Sequence, residues 1–202
     1  MSENKNLVPK RRFKEFENAD AWKQRELGNV ADVTKLAGFE FTEYVIYSDV
    51  GEIIALRGLN VKNGKIILED VKYIDDSDFS KLNRSKLFKD DILFTYVGTV
   101  GDLAVVPEDN KYYLAPNVAR IRLKDGVNSI FVSQMMNDKN YYNKVIFPLI
   151  ATSSQPALSM ENVRKFTLLL PNIEEQSKIG EFFKNLDQTI AFQQRCLLYT
   201  SD

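Results

Sequence analysis

The side chains available for chemistry are limited by what the sequence lacks. The chain of 202 residues contains no histidine and a single cysteine, Cys196. Without imidazole or a second thiol it cannot build the usual zinc ligand sets or a Ser-His or Cys-His nucleophile pair. One cysteine also cannot form an internal disulfide, which is typical of a reducing cytoplasm. Catalysis would therefore have to use carboxylate, lysine or tyrosine side chains.

One arrangement of such side chains is similar to that of metal-dependent nucleases. Asp90 or Asp91, followed by Asp109-Asn110-Lys111, could hold a divalent cation and stabilise charge with the lysine. In a chain with 28 acidic and 27 basic residues, such a spacing arises easily by chance. A methyltransferase is disfavoured too, because the loop that clamps a flipped adenine and a glycine-rich cofactor turn are both missing. The sequence therefore indicates a chain that is catalytically silent, with no metal or cofactor site of its own.

Polar residues around one predicted turn are suited to DNA. Arg57 and Asn60 could bond guanine and adenine edges, and Lys62 and Lys65, flanking the Asn63-Gly64 turn, could contact phosphates. In the alternative interpretation, Arg57 pairs with a core carboxylate and Asn60 caps a turn. The net charge of −1 means that any DNA binding depends on local patches or on charged partners.

Two loops add further candidate contacts. Thr99 lies between Gly98 and Gly101, where the backbone could approach a phosphate closely, although a tight hairpin explains the same pattern. The loop 152–155 can bond base edges or phosphates, or satisfy backbone groups at a domain junction. From these loops we take as candidate DNA contacts Thr99, Ser153, Ser154 and Gln155.

The elements that must position these residues are mostly strands. Between residues 22 and 170, strand-like runs lie at 44–47, 52–56, 65–68, 71–74, 92–97, 103–106 and 118–123. Short helices are predicted at 26–31 and between 129 and 146. Many short strands with few helices predict an α+β fold with a compact, curled, β-rich domain over residues 21–170.

The last predicted element, over residues 171–202, is a long amphipathic helix of the coiled-coil type. Asn172 can cap it, and Glu175 can complete a capping box. Apolar residues then recur at steps of three and four once the polar Gln193 is counted, and this stripe predicts a partner helix. Its members are Ile179, Phe183, Leu186, Ile190 and Leu197.

The two ends of the chain differ in character. Residues 1–20 are predicted to be a flexible polar leader, or alternatively an arm that contacts phosphates through the basic run Pro9–Arg12. No apolar run approaches the roughly 20 residues of a membrane span, and the first residues do not resemble a secretion signal. We therefore expect a cytoplasmic protein that does not contact a membrane.

Several motifs together resemble the target-recognition domain of type I restriction-modification specificity subunits. Each is weak alone, but their order and spacing over residues 22 to 195 are fairly specific. They are Trp22 with Leu27-Gly28 and Ala31, Ala55 to Asn60, Asp90 to Leu93 with Gly98 and Gly101, Ser153 to Gln155 with Leu158-Ser159, and Leu170-Pro171 with Glu175-Gln176, Ile179, Phe182-Phe183, Leu186-Asp187 and Ile190.

The resemblance implies a division of labour. The specificity subunit recognises a bipartite site in double-stranded DNA, a methyltransferase subunit modifies adenine, and a restriction subunit translocates or cuts DNA. AdoMet, ATP and magnesium would then belong to those partner subunits. Members usually carry two recognition domains and two helices, so this chain resembles a half-subunit or a truncated one, which would act as a homodimer or with a second half-subunit.

The sequence is also compatible with a different class of function. The helix and aromatic pairs such as Tyr112-Tyr113 and Tyr141-Tyr142 would also suit a protein-interaction adaptor that does not recognise DNA. Aromatic pairs of this kind are more often part of a core.

Overall fold

The computed structural model describes residues 7–36, 38–151 and 154–199; for Phe41 and residues 195–199 it describes the backbone alone. Within these residues the strands are β1 (Lys23–Glu26), β2 (Ala31–Lys35), β3 (Ile54–Leu56), β4 (Val61–Lys62), β5 (Lys65–Ile66), β6 (Lys72–Tyr73), β7 (Ile92–Thr95), β8 (Leu103–Val105), β9 (Tyr112–Leu114), β10 (Val118–Leu123) and β11 (Thr167–Leu170). The α-helices are α1 (Leu27–Val30), α2 (Gly38–Tyr44), α3 (Ser129–Asn137), α4 (Lys139–Tyr141), α5 (Met160–Arg164) and α6 (Ile173–Tyr199). This confirms the predicted α+β class with a long final helix.

A four-stranded antiparallel sheet in the order β2-β10-β7-β8 lies at the centre. Strand β7 serves two cores, since Ile92 and Phe94 pack in one and Leu93 in the other. The first core includes Phe131 of α3, and the second includes Leu56 and Leu114 of a second sheet, β6-β3-β9. Because both faces of β7 are covered, its sequence is a continuous apolar run instead of an alternation.

Helix α6 begins inside the domain. The Asn172 Oδ1 accepts a hydrogen bond from the Glu175 backbone N–H at 2.8 Å, which confirms the predicted cap. Gln176 is 1% exposed and accepts from the Asn128 N–H at 2.9 Å. At Gly180 the helix passes so close to α3 that an added Cβ would lie 3.1 Å from the Phe131 backbone nitrogen. One face of the first two turns of α6 is therefore part of the domain core.

The predicted capping box is only half present, because Glu175 bonds elsewhere. Its carboxylate is buried and accepts from Arg12 Nε at 2.8 Å and Nη2 at 2.5 Å, and from the Trp22 indole at 3.3 Å. The Arg12 side chain is 4% exposed. A bidentate pair of this kind is both strong and geometrically specific.

The Arg12 contact also corrects the expectation of a flexible leader for its described part, residues 7–20. The Trp22 N–H donates to the Leu7 carbonyl at 2.8 Å, and the Phe13 ring meets Phe182 of α6 edge-on at 5.7 Å. Arg12, in the basic run considered as a phosphate arm, is instead buried against α6. We name residues 7–20 the clasp, because they hold the base of α6 against the domain.

The predicted secondary structure differs from the structure at several places. The run 44–47 is not a strand, since α2 ends at Tyr44 and the next residues form a loop in which Val45 packs against the buried cluster that includes Ile74. Strands β1, β2, β4, β9 and β11 were missed, and the short helix predicted at 26–31 is confirmed as α1. None of the helices in the described ranges is long and apolar enough to cross a bilayer.

Candidate nucleic-acid interface

Several loops that are distant in the sequence lie close together at one end of the strands. Strands β3 and β9 run parallel, with Leu56 opposite Leu114, and the Ala115 N–H donates to the Leu56 carbonyl at 3.1 Å. The segments that begin at Arg57 and Ala115 therefore leave the sheet at the same end, where both strands finish. In open parallel α/β sheets, ligands bind outside this carboxyl end of the strands. Strand β7 ends there too, because Thr95 is opposite Val118 at the start of β10.

These segments line an open cleft of about 460 Å³, which we name the Arg57 cleft. Three of the predicted contact residues, Arg57, Thr99 and Gln155, line it although they come from distant parts of the sequence. The remaining lining residues are Tyr47, Gly58, Leu59, Thr95, Val97, Gly98, Pro116 and Asn117. The result is a surface of hydroxyls, amides, one guanidinium and small apolar groups, which are the groups that contact base edges and phosphates in DNA complexes.

Hydrogen bonds hold the Arg57 side chain in place, but not all of its donors have a partner among the described residues. Its Nη2 donates to the carbonyl oxygen and to the side-chain Oδ1 of Asp70, both at 2.8 Å. Its Nε is buried and, among the described residues, has no hydrogen-bond partner. The pairing expected in the alternative interpretation is thus present, but with an exposed carboxylate instead of a core one, since Asp70 is 67% exposed.

Tyr47 lies beside Arg57 in this cleft. Burial raises the pKa of its hydroxyl above the ordinary tyrosine value, and the positive charge of Arg57 partly opposes that rise. The hydroxyl therefore stays protonated at neutral pH. Sequence reasoning missed Tyr47 because the run 44–47 was assigned to a strand.

Asn60 does not reach the cleft. It is fully buried, its Oδ1 accepts from the Arg57 N–H at 3.1 Å, and its Nδ2 donates to the carbonyls of Ile67 at 3.0 Å and Asp70 at 2.7 Å. Its amide is fully used within the turn, so the proposed adenine contact is corrected in favour of the turn cap.

Thr99 lies at the tip of the β7–β8 hairpin, which agrees with the hairpin interpretation of its two glycines. Gly98 and Gly101 have φ of 80° and 106°, values that favour glycine. The Gly98 N–H donates to the Pro156 carbonyl at 3.0 Å, so the hairpin tip is tied to the loop that carries Gln155. Thr99 is exposed there and faces the cleft.

The two predicted phosphate contacts lie elsewhere. Lys62 and Lys65 are both exposed on the β4–β5 hairpin. Lys65 lines a second groove, of about 670 Å³, opposite Lys184 and Asp187 of α6. The structure therefore does not bring Lys65 to the Arg57 cleft. Ser154 is exposed next to Gln155, and Ser153 lies outside the described residues.

The apolar stripe of α6 is divided. Ile179 packs against the domain core, near Trp22 and Phe131, so it anchors the helix and is not free for a partner as predicted. The next three members are between 43% and 45% exposed: Phe183, Leu186 and Ile190. The side chain of Leu197 lies outside the described residues. The exposed stripe of α6 therefore begins at Phe183.

The residues of the nuclease hypothesis have structural roles. Asp91 is 2% exposed and pairs with Arg122 at 2.7 Å, and this contact raises the pKa of the Arg122 guanidinium. Asp109 accepts from the Lys89 backbone N–H at 2.8 Å, and Lys111 pairs with Glu108. No group of three or more acidic or cysteine side chains that could hold a metal occurs within the described ranges.

The aromatic pairs of the adaptor hypothesis are largely internal. Tyr112 and Tyr113 are 3% and 8% exposed. The hydroxyl of Tyr141 is buried, and burial raises its pKa well above the ordinary tyrosine value. These rings stabilise the core, so they do not form the exposed docking surface that the hypothesis requires.

Comparisons with known proteins agree with this architecture. The chain is 28% identical over 152 residues to the EcoKI specificity subunit of a type I restriction enzyme from Escherichia coli strain K12, covering 72% of this chain and 32% of that protein. It is 27% identical over 140 residues to the EcoBI specificity subunit from Escherichia coli, covering 68% of this chain and 28% of that protein. The chain thus spans about a third of the length of these curated relatives.

Solved structures show the same fold. The HsdS subunit from Thermoanaerobacter tengcongensis matches with a TM-score of 0.59 at 15% identity, over 94% of this chain and 42% of that one. The S subunit of a type I system from M. genitalium matches with a TM-score of 0.56 at 15% identity, over 90% and 42%. A chain from a structural study of complex assembly and conformational transition in the type I system gives 0.63 at 15% identity, over 91% and 43%.

A family model described as the type I restriction modification DNA specificity domain matches residues 19–197, which is most of the chain. The chain therefore belongs to the family of type I restriction-modification DNA specificity domains.

Proposed function

We propose that this chain is the DNA-recognition component of a type I restriction-modification complex and that it recognises a DNA sequence through the Arg57 cleft. The observation that carries the proposal is the convergence of Arg57, Thr99 and Gln155 on one open cleft at the edge where β3 and β9 end. Once its Nη2 leaves Asp70, Arg57 can form a bidentate contact with guanine. The amide and hydroxyl groups of the cleft can bond other base edges or phosphates.

Electrostatics limit how tightly the isolated chain can hold DNA. The net charge is −1, whereas non-specific DNA affinity comes from the neutralisation of phosphates by basic residues. We therefore expect the isolated chain to bind DNA weakly and to bind tightly only together with a methyltransferase subunit that contacts phosphates. In that complex the chain would select the site, and the modifying and restricting subunits would supply the catalysis together with AdoMet, ATP and magnesium.

The exposed apolar stripe of α6 could pair with the helix of another subunit. Leu186 and Ile190 are about half exposed on a helix of 27 residues, so a second helix would bury them. Pairing with a second copy, or with the helix of another half-subunit, would place two recognition domains on one complex. A helix of that length spans roughly 40 Å, close to the spacing of half-sites one DNA turn apart, which suits a bipartite site.

The test is selection of bound duplexes from a random library by the chain purified with its methyltransferase subunit. We expect one enriched bipartite sequence, bound in a salt-sensitive manner. Arg57→Ala should weaken binding of the enriched duplex roughly 5- to 150-fold, while binding of random duplex changes little. Arg25→Ala is the matched control, because it removes the same charge from an exposed position on β1, outside the cleft.

Two results would contradict the proposal. One is the absence of any enriched sequence in the presence of the methyltransferase subunit. The other is an equal loss for enriched and random duplexes with Arg57→Ala, which would make Arg57 a phosphate contact and remove it from sequence recognition.

A further inference from the structure

Asn117 lies at the mouth of the Arg57 cleft with an amide that the fold does not use. Among the described residues none forms a hydrogen bond with its side chain, and the residue is exposed. Its backbone is engaged: the carbonyl accepts from the Tyr96 N–H at 3.1 Å. This is the opposite of Asn60, whose amide is buried and fully bonded within a turn.

The backbone holds Asn117 rigidly in an unusual conformation. Its φ is 70°, a left-handed value that asparagine tolerates better than most residues. The next residue, Val118, is completely buried at the start of β10, the strand that pairs with both β2 and β7. Because the backbone at this position is already fixed, binding needs to order only the two torsions of a short side chain.

Asn117 is also close to Arg57. A Cβ built on Gly58, the neighbour of Arg57, would lie 3.8 Å from the Asn117 Cβ. Arg57 and Asn117 line the same cleft, and stacked bases in duplex DNA are about 3.4 Å apart. The two side chains can therefore contact the same base pair or neighbouring ones. The apolar Leu59 and Pro116 beside them suit contact with a thymine methyl group.

We propose that Asn117 determines sequence specificity, by contacting the N6 and N7 edge of an adenine next to the base pair contacted by Arg57. An asparagine amide matches that edge in a bidentate manner, with one donor and one acceptor. This inference rests on the proposed function of the cleft and adds the residue and the base class that the sequence alone assigned to Asn60.

The test uses the full chain with its methyltransferase subunit and a random duplex library. Asn117→Gly is the main variant, because glycine adopts the φ of 70° without strain and removes the amide. The selected sequence should lose its preference for A at one base pair, and affinity for the wild-type site should fall roughly 5- to 150-fold, with random duplex bound as before. Asn110→Gly is the matched control, since Asn110 is also exposed with a φ of 61° but lies before β9, at the opposite edge of the sheet.

A second variant makes the test independent of lost affinity. Asn117→Asp keeps the size and the backbone preference but only accepts hydrogen bonds, so the preferred base at that position should change from A to C. Thermal unfolding of both variants checks that the fold is retained.

The outcomes separate this inference from the proposed function. If wild type selects a sequence and Asn117→Gly selects the same sequence with the same affinity, or loses affinity equally for all duplexes, the assignment of Asn117 is overturned and the function of the cleft stands. If wild type selects no sequence, both are overturned.

Discussion

The Arg57 cleft and the outer half of α6 are both exposed, but for different physical reasons. In the cleft, polar groups on fixed strand ends have unused hydrogen-bonding capacity, as at Asn117. On α6 beyond Phe183, apolar side chains have unused packing capacity, as at Leu186 and Ile190. The first surface suits a polar, structured ligand such as a base edge, and the second suits another apolar helix.

The two regions also differ in how they are held. Main-chain bonds between strands fix the cleft, whereas the base of α6 is fixed by side chains, above all the buried Arg12–Glu175 pair. In the described part of the chain, the last hydrogen bond from the domain to α6 is that of Gln134 to Asp187 at 2.9 Å. The cleft is thus built on hydrogen-bonded strand ends, and the exposed stripe of α6 extends from a base that the clasp contacts.

The largest effect is expected for the exposed stripe of α6. Leu186→Asp together with Ile190→Asp should weaken assembly, with itself or with a partner helix, by roughly 100-fold or more, because two apolar contacts are lost and two charges would be buried. The melting temperature of the single chain should change little, since both residues are half exposed. Sedimentation velocity with and without the methyltransferase subunit measures the change.

The control for this double substitution places the same two charges on another face of α6. Asn185→Asp with Gln188→Asp should assemble as wild type does. Equal loss of assembly in both double variants would show that charge, and not the stripe, controls the association.

The next largest effect is expected at the clasp. Arg12→Ala leaves the Glu175 carboxylate buried with the Trp22 indole as its remaining side-chain donor, and should lower the melting temperature by roughly 10 °C. Arg11→Ala, an exposed neighbour, should have almost no effect. Differential scanning calorimetry measures both, and equal melting temperatures for Arg12→Ala and wild type would show that the clasp does not hold the base of α6.

The smallest effect is expected at Asp70. Because the Arg57–Asp70 pair is partly exposed, Asp70→Asn should change the free energy of unfolding by less than about 1 kcal/mol. It should strengthen DNA binding a few-fold, because the loss of the carboxylate charge weakens the hold of residue 70 on Arg57 while the carbonyl contact remains. Glu69→Gln removes the same charge one residue away and is the control; an equal gain from Glu69→Gln would assign the effect to overall charge.

Much of the fold could be predicted because it follows from local patterns. The three-to-four spacing of Phe183, Leu186 and Ile190 and the cap at Asn172 indicate α6, and the apolar run at 92–94 indicates a buried strand. Short strands such as β1 were missed because Lys23–Glu26 is exposed and charged, and its strand conformation depends on pairing with β11.

For the candidate site, the sequence by itself determined which functional groups are present: no imidazole, one thiol, and the polar residues Arg57, Asn60 and Thr99 in turn-forming segments. The tertiary structure decided which of those groups are available. It buried Asn60 in a turn, moved Lys65 to a different groove, and brought Thr99, Gln155 and Asn117 beside Arg57. The physical reason is that turn and helix patterns act over a few residues, whereas the cleft depends on the long-range parallel pairing of β3 with β9, which no local spacing encodes.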